Sequence, residues 1–320
     1  MQSCSIANPV ISSNIWTISV ELAYFLNALE DGVEKRILGK TGLRVSIVAF
    51  GGFLLDKVDA ERAGEIVEFA IENGVNYFDV APSYGNSQSV LGPALAPYRK
   101  DIYLASKTKE RGAAGAKAEL LKSLKELKTE CLDNFQLHSV DAMEEVERIF
   151  GEGGAMETLR WALAEGLTKY IGFSAHDDAI AMEMFARADF DTVMFPVNFA
   201  YREIKSASVM ALEYSEKHNI GFVATKALAE RLWFADEERT CPRCWYRPIF
   251  DNEKLARITL NYTLTRGGVA TAPSPSDERM LRLAVKIVKS QGGGPVEPDV
   301  EDYAYLADYV KGMNAGDLIF

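Results

Sequence analysis

Four side chains in this sequence have the types needed to hand a proton to an oxygen: Asp79, Tyr84, Lys107 and His138. Asp79 and Tyr84 share the stretch DVAPSYGNSQSVLG (79–92), which follows the β-rich run VNYF directly. Lys107 closes DIYLASK (101–107), and His138 follows the apolar run NFQL. A free phenol, with a pKa of roughly 10, donates poorly at neutral pH. A neighbouring ammonium favours the phenolate and lowers that pKa, while a carboxylate fixes the ammonium in place. An imidazole beside the phenol can orient a carbonyl oxygen. Together they suit protonation of a developing alkoxide, the step that carbonyl reduction by a hydride donor requires. Taken singly, each has a plainer use: an Asx turn, a half-buried packing tyrosine, a lysine reaching for solvent, a hydrogen-bonded core histidine. The chemical reading therefore rests on the elements that would bring all four together.

Those elements alternate. Short β-rich runs fall at VSIVAF (45–50), VNYFDV (75–80), DIYLASK (101–107), DNFQLHS (133–139), TKYIGFS (168–174), DTVMFPVN (191–198), IGFVATK (220–226) and GGVATAP (267–273). Between them the apolar residues recur at helical spacing, as in AERAGEIVEFAIENG (60–74), where Ile66, Phe69 and Ala70 share a face and Gly74 stops the helix. Repeated βα units imply a parallel sheet with helices outside, and eight of them in roughly 250 residues predict a closed (β/α)₈ barrel. An open doubly wound sheet is the alternative, but no G-x-G-x-x-G follows the first strand. Ahead of that strand, Gly-Lys-Thr-Gly (39–42) between two extended runs predicts a hairpin. In such a barrel the C-terminal strand ends form the active face, which is where all four residues fall. The chain thus divides into an N-terminal extension (1–32), the barrel (33–290), and a linker QGGGPVEPD with a helical tail packing on the barrel (291–320).

The 320 residues, 48% hydrophobic, supply ample core, and a formal charge of −11 argues against a nucleic-acid or anionic-membrane surface. Residues 1–32 hold no Lys or Arg, a poor match to a secretory signal, and their apolar stretches are broken well short of a membrane span. Four cysteines (Cys4, Cys131, Cys241, Cys244) are too few for a disulfide framework and fit a reducing compartment. The expectation is a cytoplasmic protein acting on a small molecule.

With these residues in view, the chain from about Lys35 to about Ser290 resembles the aldo-keto reductases, whose fold is a (β/α)₈ barrel. DVAPSYGNSQSVLG is similar to the family's Asp-x-Ala-x-x-Tyr-Gly-x-Ser-Glu-x-x-Leu-Gly signature, with Gln88 in place of Glu. The resemblance implies that Asp79, Tyr84, Lys107 and His138 form the catalytic tetrad, with Tyr84 as general acid, and that NADPH or NADH lies across the barrel mouth. It implies nicotinamide contacts at Ser174 and Asn198, with Ala175, Met194 and Thr225 replacing the usual Asn, Gln and stacking Tyr, and Lys226 replacing a Ser. These departures resemble a divergent bacterial branch of the family. Gly52, in AFGGF (49–53), falls on the cofactor side and Phe53 on the substrate side. In TAPSPSDERMLRL (271–283), Ser276 is expected to cap the last barrel helix at a natural phosphate site. Ser274 and Arg279 there match the family's 2′-phosphate contacts, with Pro273 in place of its Lys. NADP(H) is expected over NAD(H).

The stretch TCPRCW places Cys241 and Cys244 in a C-x-x-C, a spacing that metal and redox sites use. A zinc site or iron–sulfur cluster wants four ligands, so the expected reading is a loop turn without a metal. Trp233, Phe234, Trp245 and Tyr246 in the same loop are expected to line the substrate pocket, or else to form a satellite cluster beneath it. Two other functions stay open: a nicotinamide-binding regulatory barrel with little turnover, and an electron-transfer component binding metal through Cys241 and Cys244.

Overall fold

A computed structural model describes residues 32–200 and 209–313. The N-terminal extension, apart from Gly32, lies outside these residues, as do residues 201–208 and the end of the tail.

The first two strands, β1 (Lys35–Ile37) and β2 (Arg44–Ser46), pair antiparallel as the expected hairpin. β3 (Val48–Gly51), β4 (Tyr77–Asp79), β5 (Tyr103–Thr108), β6 (Leu132–Leu137), β7 (Thr168–Ser174), β8 (Thr192–Pro196) and β9 (Gly221–Thr225) follow. After them come a small antiparallel pair, β10 (Ala229–Leu232) and β11 (Tyr246–Pro248), and then β12 (Val269–Pro273). Strands β3 to β9 and β12 close into the expected eight-stranded parallel barrel, with β12 sealing against β3 on one side and β9 on the other. The run VSIVAF is divided: residues up to Ser46 belong to the hairpin, and the barrel strand begins at Val48.

Helices fill the intervals: α1 (Ala60–Glu72), α2 (Ser87–Leu95), α3 (Ala113–Glu126), α4 (Met143–Phe150) and α5 (Ala155–Ala164). α6 (Asp178–Arg187), α7 (Met210–Lys217), α8 (Glu253–Leu264) and α9 (Glu278–Ser290) complete the ring, and α10 (Val300–Val310) is the tail helix. In α1 the Asp59 carboxylate accepts from the Arg62 N–H, and Ala63, Ile66, Val67 and Ala70 form its buried stripe. Gly74, at φ +82°, turns the chain out of it. No helix among the described residues is long and apolar enough to cross a membrane.

Strand periodicity separates the protein's two interiors. Phe78, Leu104, Phe135 and Leu137 point outward and join the large core between barrel and helices. Their neighbours Tyr77 and Ala105 point inward, into a smaller cluster with Ala49, Met194, Val223 and Ala270. Because side chains alternate, Asp79, Lys107, Gln136 and His138 fall on that inward face, each a residue or two above the lumen cluster. Leu38 and Val45 of the hairpin belong to the same cluster and close the lumen at the N-terminal end. Gly39 allows this fit: a Cβ there would sit 2.3 Å from the Gly221 nitrogen, and its φ is +50°.

Candidate active site

At the C-terminal end of β4, β5 and β6 the four singled-out residues meet. Lys107, 0% exposed, donates to Asp79 Oδ2 and to the Val80 carbonyl at 3.4 Å. Gln136 Nε2 donates to the other oxygen of Asp79 at 3.2 Å. Tyr84 stands over this pair, with the Lys107 nitrogen 5.3 Å from its ring centroid. The His138 ring meets it nearly edge-on, with centroids 5.7 Å apart and an interplanar angle of 81°.

The electrostatics follow from burial. Burial alone would lower the Lys107 pKa, but Asp79 and Tyr84 outweigh it and hold the ammonium above its ordinary range. For Tyr84 the sequence alone suggests a lowered pKa, and the structure reverses the sign. Burial raises it, Lys107 opposes, and burial wins. The phenol therefore keeps its proton at neutral pH, as a general acid must before it is used. His138 is pushed well below the usual histidine range, first by burial and then by Lys107, Lys109, Arg111 and His176. Its imidazole is neutral, and its buried Nδ1 makes no hydrogen bond among the described residues.

Asp79, Tyr84 and His138 line a cavity of about 460 Å³, a size suited to a small organic ligand, with Lys107 buried behind them. Phe53 forms one jaw, stacked on Trp245 at 4.6 Å and 14° and set against Tyr84 at 5.1 Å. Trp245 is 58% exposed and forms the outer lip.

The sequence profile described as the Aldo/keto reductase family matches residues 48–290. The chain belongs to the aldo/keto reductase family. It is 28% identical over 214 residues to the oxidoreductase YqkF of Bacillus subtilis, a match covering 62% of this chain and 66% of that one, just under two thirds of the relative. It is 26% identical over 293 residues to the aldo-keto reductase YhdN of the same organism, covering 82% and 83%. A Klebsiella pneumoniae aldo-keto reductase solved in complex with NADPH shares the fold, with a TM-score of 0.67 at 18% identity over 90% of this chain and 99% of that one.

Within this family member the other singled-out residues divide in two. Gly52, Phe53, Ser174, Lys226, Ser274 and Trp245 line the cavity. Lys226, at φ +67°, has its pKa pushed down to about 8 by burial, against the pull of Asp141. Ser174 Oγ accepts from the Ser139 N–H at 2.7 Å, and the Gly51 N–H points at Ser274 Oγ at 3.4 Å. Asn198, Arg279 and Trp233 do not line it. Asn198 spends its amide on the chain itself, donating to the carbonyls of Lys226 and Ala229 and accepting from the Ala200 N–H. Arg279 is bound to Asp277 and to the Thr240 carbonyl. Trp233 donates to the Cys244 carbonyl at 2.9 Å and packs with Cys241, Cys244 and Phe250, which is the satellite cluster. Phe234 lies outside the cavity under the Arg231 guanidinium, whereas Tyr246 lines it. The expected cap at Ser276 moves one residue on: Asp277 accepts from the Arg279 N–H and begins α9, leaving Ser276 in the cavity wall.

Gln136 and Arg111 were not among the residues singled out from the sequence. Gln136 sits two residues before His138 on the same inward face, and strand alternation would have found it. Arg111 Nη2 donates to the carbonyls of His138 and Ser139 at 2.8 and 2.7 Å, holding the end of β6 from a loop where no periodicity applies.

Proposed function

We propose that this protein reduces an aldehyde or ketone to an alcohol with NAD(P)H, Tyr84 acting as general acid. The observation that carries the reading is the meeting of a protonated buried phenol, a paired ammonium and a neutral imidazole at the base of one cavity. His138 orients the carbonyl oxygen toward the Tyr84 hydroxyl, which gives its proton as charge grows on that oxygen. Lys107, held by Asp79 and Gln136, stabilises the phenolate left behind. Phe53 and Trp245 cover the reacting carbonyl with apolar surface. A reduced nicotinamide supplies the hydride when bound.

The donor set along the opposite wall fits such a cofactor. The hydroxyls of Ser174, Ser274 and Ser276 and the Lys226 ammonium suit an amide and phosphates, and Ser276 adjoins the N-terminus of α9. NADP(H) is favoured over NAD(H), in keeping with the Klebsiella structure's NADPH. A 2′-phosphate contact from Arg279 requires that side chain to leave Asp277.

Oxidation of NADPH and NADH against a panel of aldehydes and ketones tests the reading, with Tyr84→Phe alongside. Loss of the acid should lower kcat by about a hundred- to ten-thousand-fold with nucleotide affinity retained. Equal turnover by wild type and mutant sinks the assignment. The apolar Ala175 and Met194 in the nicotinamide wall favour a second reading, a regulatory barrel that binds nucleotide with little turnover. Tight NADPH binding without oxidation of any substrate selects it.

A further inference from the structure

The C-x-x-C between β10 and β11 is the motif that carbonyl chemistry leaves unused. Cys241 and Cys244 are each 1% exposed, and the Cys244 N–H donates to the Cys241 carbonyl at 2.9 Å. That bond closes a turn whose end Cα atoms lie within about 7 Å, the span a disulfide bridges without moving the chain. Both side chains belong to one buried cluster with Trp233 and Phe250. Arg279 Nη2 donates to Cys241 Sγ at 3.0 Å, beside the first turn of α9. A second thiol, a guanidinium and a helix N-terminus are the surroundings that stabilise a thiolate. Accordingly the neighbouring Cys244 thiol, aided by Arg279 and against burial and the Asp277 carboxylate, holds Cys241 below the ordinary thiol range, while Cys244 is pushed far above it. A metal suits the pair poorly. No group of three or more His, Cys, Asp or Glu is arranged for one among the described residues, and Arg279 sets a positive charge against the sulfur.

We propose that Cys241 and Cys244 are a reversible dithiol–disulfide site in the loop beside the active cavity, oxidised by low-molecular-weight disulfides such as glutathione disulfide. The Cys241 thiolate attacks one sulfur of the reagent; its S–S bond breaks, and one thiolate leaves and takes up a proton. Cys244 then loses its proton and attacks Cys241 of the mixed disulfide, expelling the second thiol. Two cysteine thiols surrender two electrons and two protons, and one disulfide becomes two thiols. Both sulfurs face inward while Thr240 and Pro242 are exposed, so exchange waits on opening of this loop. The state of the turn reaches the cavity through its neighbours. Trp245 follows Cys244 and stacks on Phe53, and Arg243 donates to the Asp56 carbonyl at 3.0 Å across the mouth.

The test equilibrates the full-length protein in glutathione buffers of stepped ratio, traps thiols by acid and alkylation, and maps the peptides by mass spectrometry. The peptide carrying Cys241 and Cys244 should pass from two alkylated thiols to an internal disulfide within the buffer series, with tryptophan fluorescence following the same curve. Cys131, partly exposed and elsewhere in the fold, reports unspecific reaction. In Cys244→Ser, Cys241 should stop at the glutathione adduct. If that variant fails to fold, the wild-type map still decides. A pair that stays reduced at the most oxidising ratio, or wild-type Cys241 carrying glutathione alone, overturns the proposal. Fluorescence blind to the disulfide overturns its link to the cavity. None of these readouts depends on turnover.

Discussion

The two halves of the cavity rim are built on different terms. On β4, β5 and β6 the polar groups are buried and bonded to one another, with Lys107 on Asp79 and Gln136 completing the carboxylate. On β7, β8, β9 and β12 the wall is a row of neutral groups, Ser174, Ala175, Met194, Thr225 and Ser274, with the half-buried Lys226 beside them. Residues of the first kind cannot be exchanged one at a time, because removing either member strands a charge in the interior. Neutral contacts worth about 1 kcal/mol each can be swapped individually. The departures from the family signature fall accordingly: all four expected tetrad types are present, while the wall expected to meet a nicotinamide differs at several places.

The largest effect that would break this contrast is expected from Lys107→Met. It leaves Asp79 buried and unpaired and should cost about 3–5 kcal/mol of unfolding free energy, read by denaturant titration. Combining it with Asp79→Leu should restore most of the stability and none of the turnover. A single mutant as stable as wild type would show that the pair is not what holds this rim. On the opposite wall, Lys226 is a cation below about pH 8 and neutral above it. Nucleotide affinity should therefore fall as pH rises through that value, by roughly tenfold for a lost charge-assisted contact, and Lys226→Met should flatten the profile. A pH-independent Kd in the wild type removes Lys226 from the binding site. The smallest effect comes from Met194→Gln, which gives the wall an amide and should tighten nucleotide binding about fivefold, near 1 kcal/mol, with kcat unchanged. Weaker binding would mean that Met194 packs on the ligand rather than fails to bond it.

The same contrast explains what the sequence disclosed. Buried parallel strands read as near-continuous apolar runs, so all eight could be placed, and the polar residue ending a run falls at the rim by geometry. Asp79, Lys107 and His138 were legible for that reason. Loop side chains carry no such period. Trp233 and Trp245 are both tryptophans of one loop, yet the first is turned under it by a hydrogen bond to Cys244 and the second out over Phe53. Asn198 was placed correctly along the chain, but its amide is taken up by neighbouring backbone. The cap of α9 went to Asp277 over Ser276 because a carboxylate there also gains the Arg279 guanidinium.

The hairpin at the far end has a consequence for traffic. With Leu38 and Val45 sealed into the lumen, the barrel is a cup with a floor rather than a tube. Tyr170 reinforces that floor through its bond to the Thr41 carbonyl at 2.6 Å. Among the described residues, Tyr84 is approached from the mouth that Phe53 and Trp245 flank. Any two molecules held in that cup would have to share its opening.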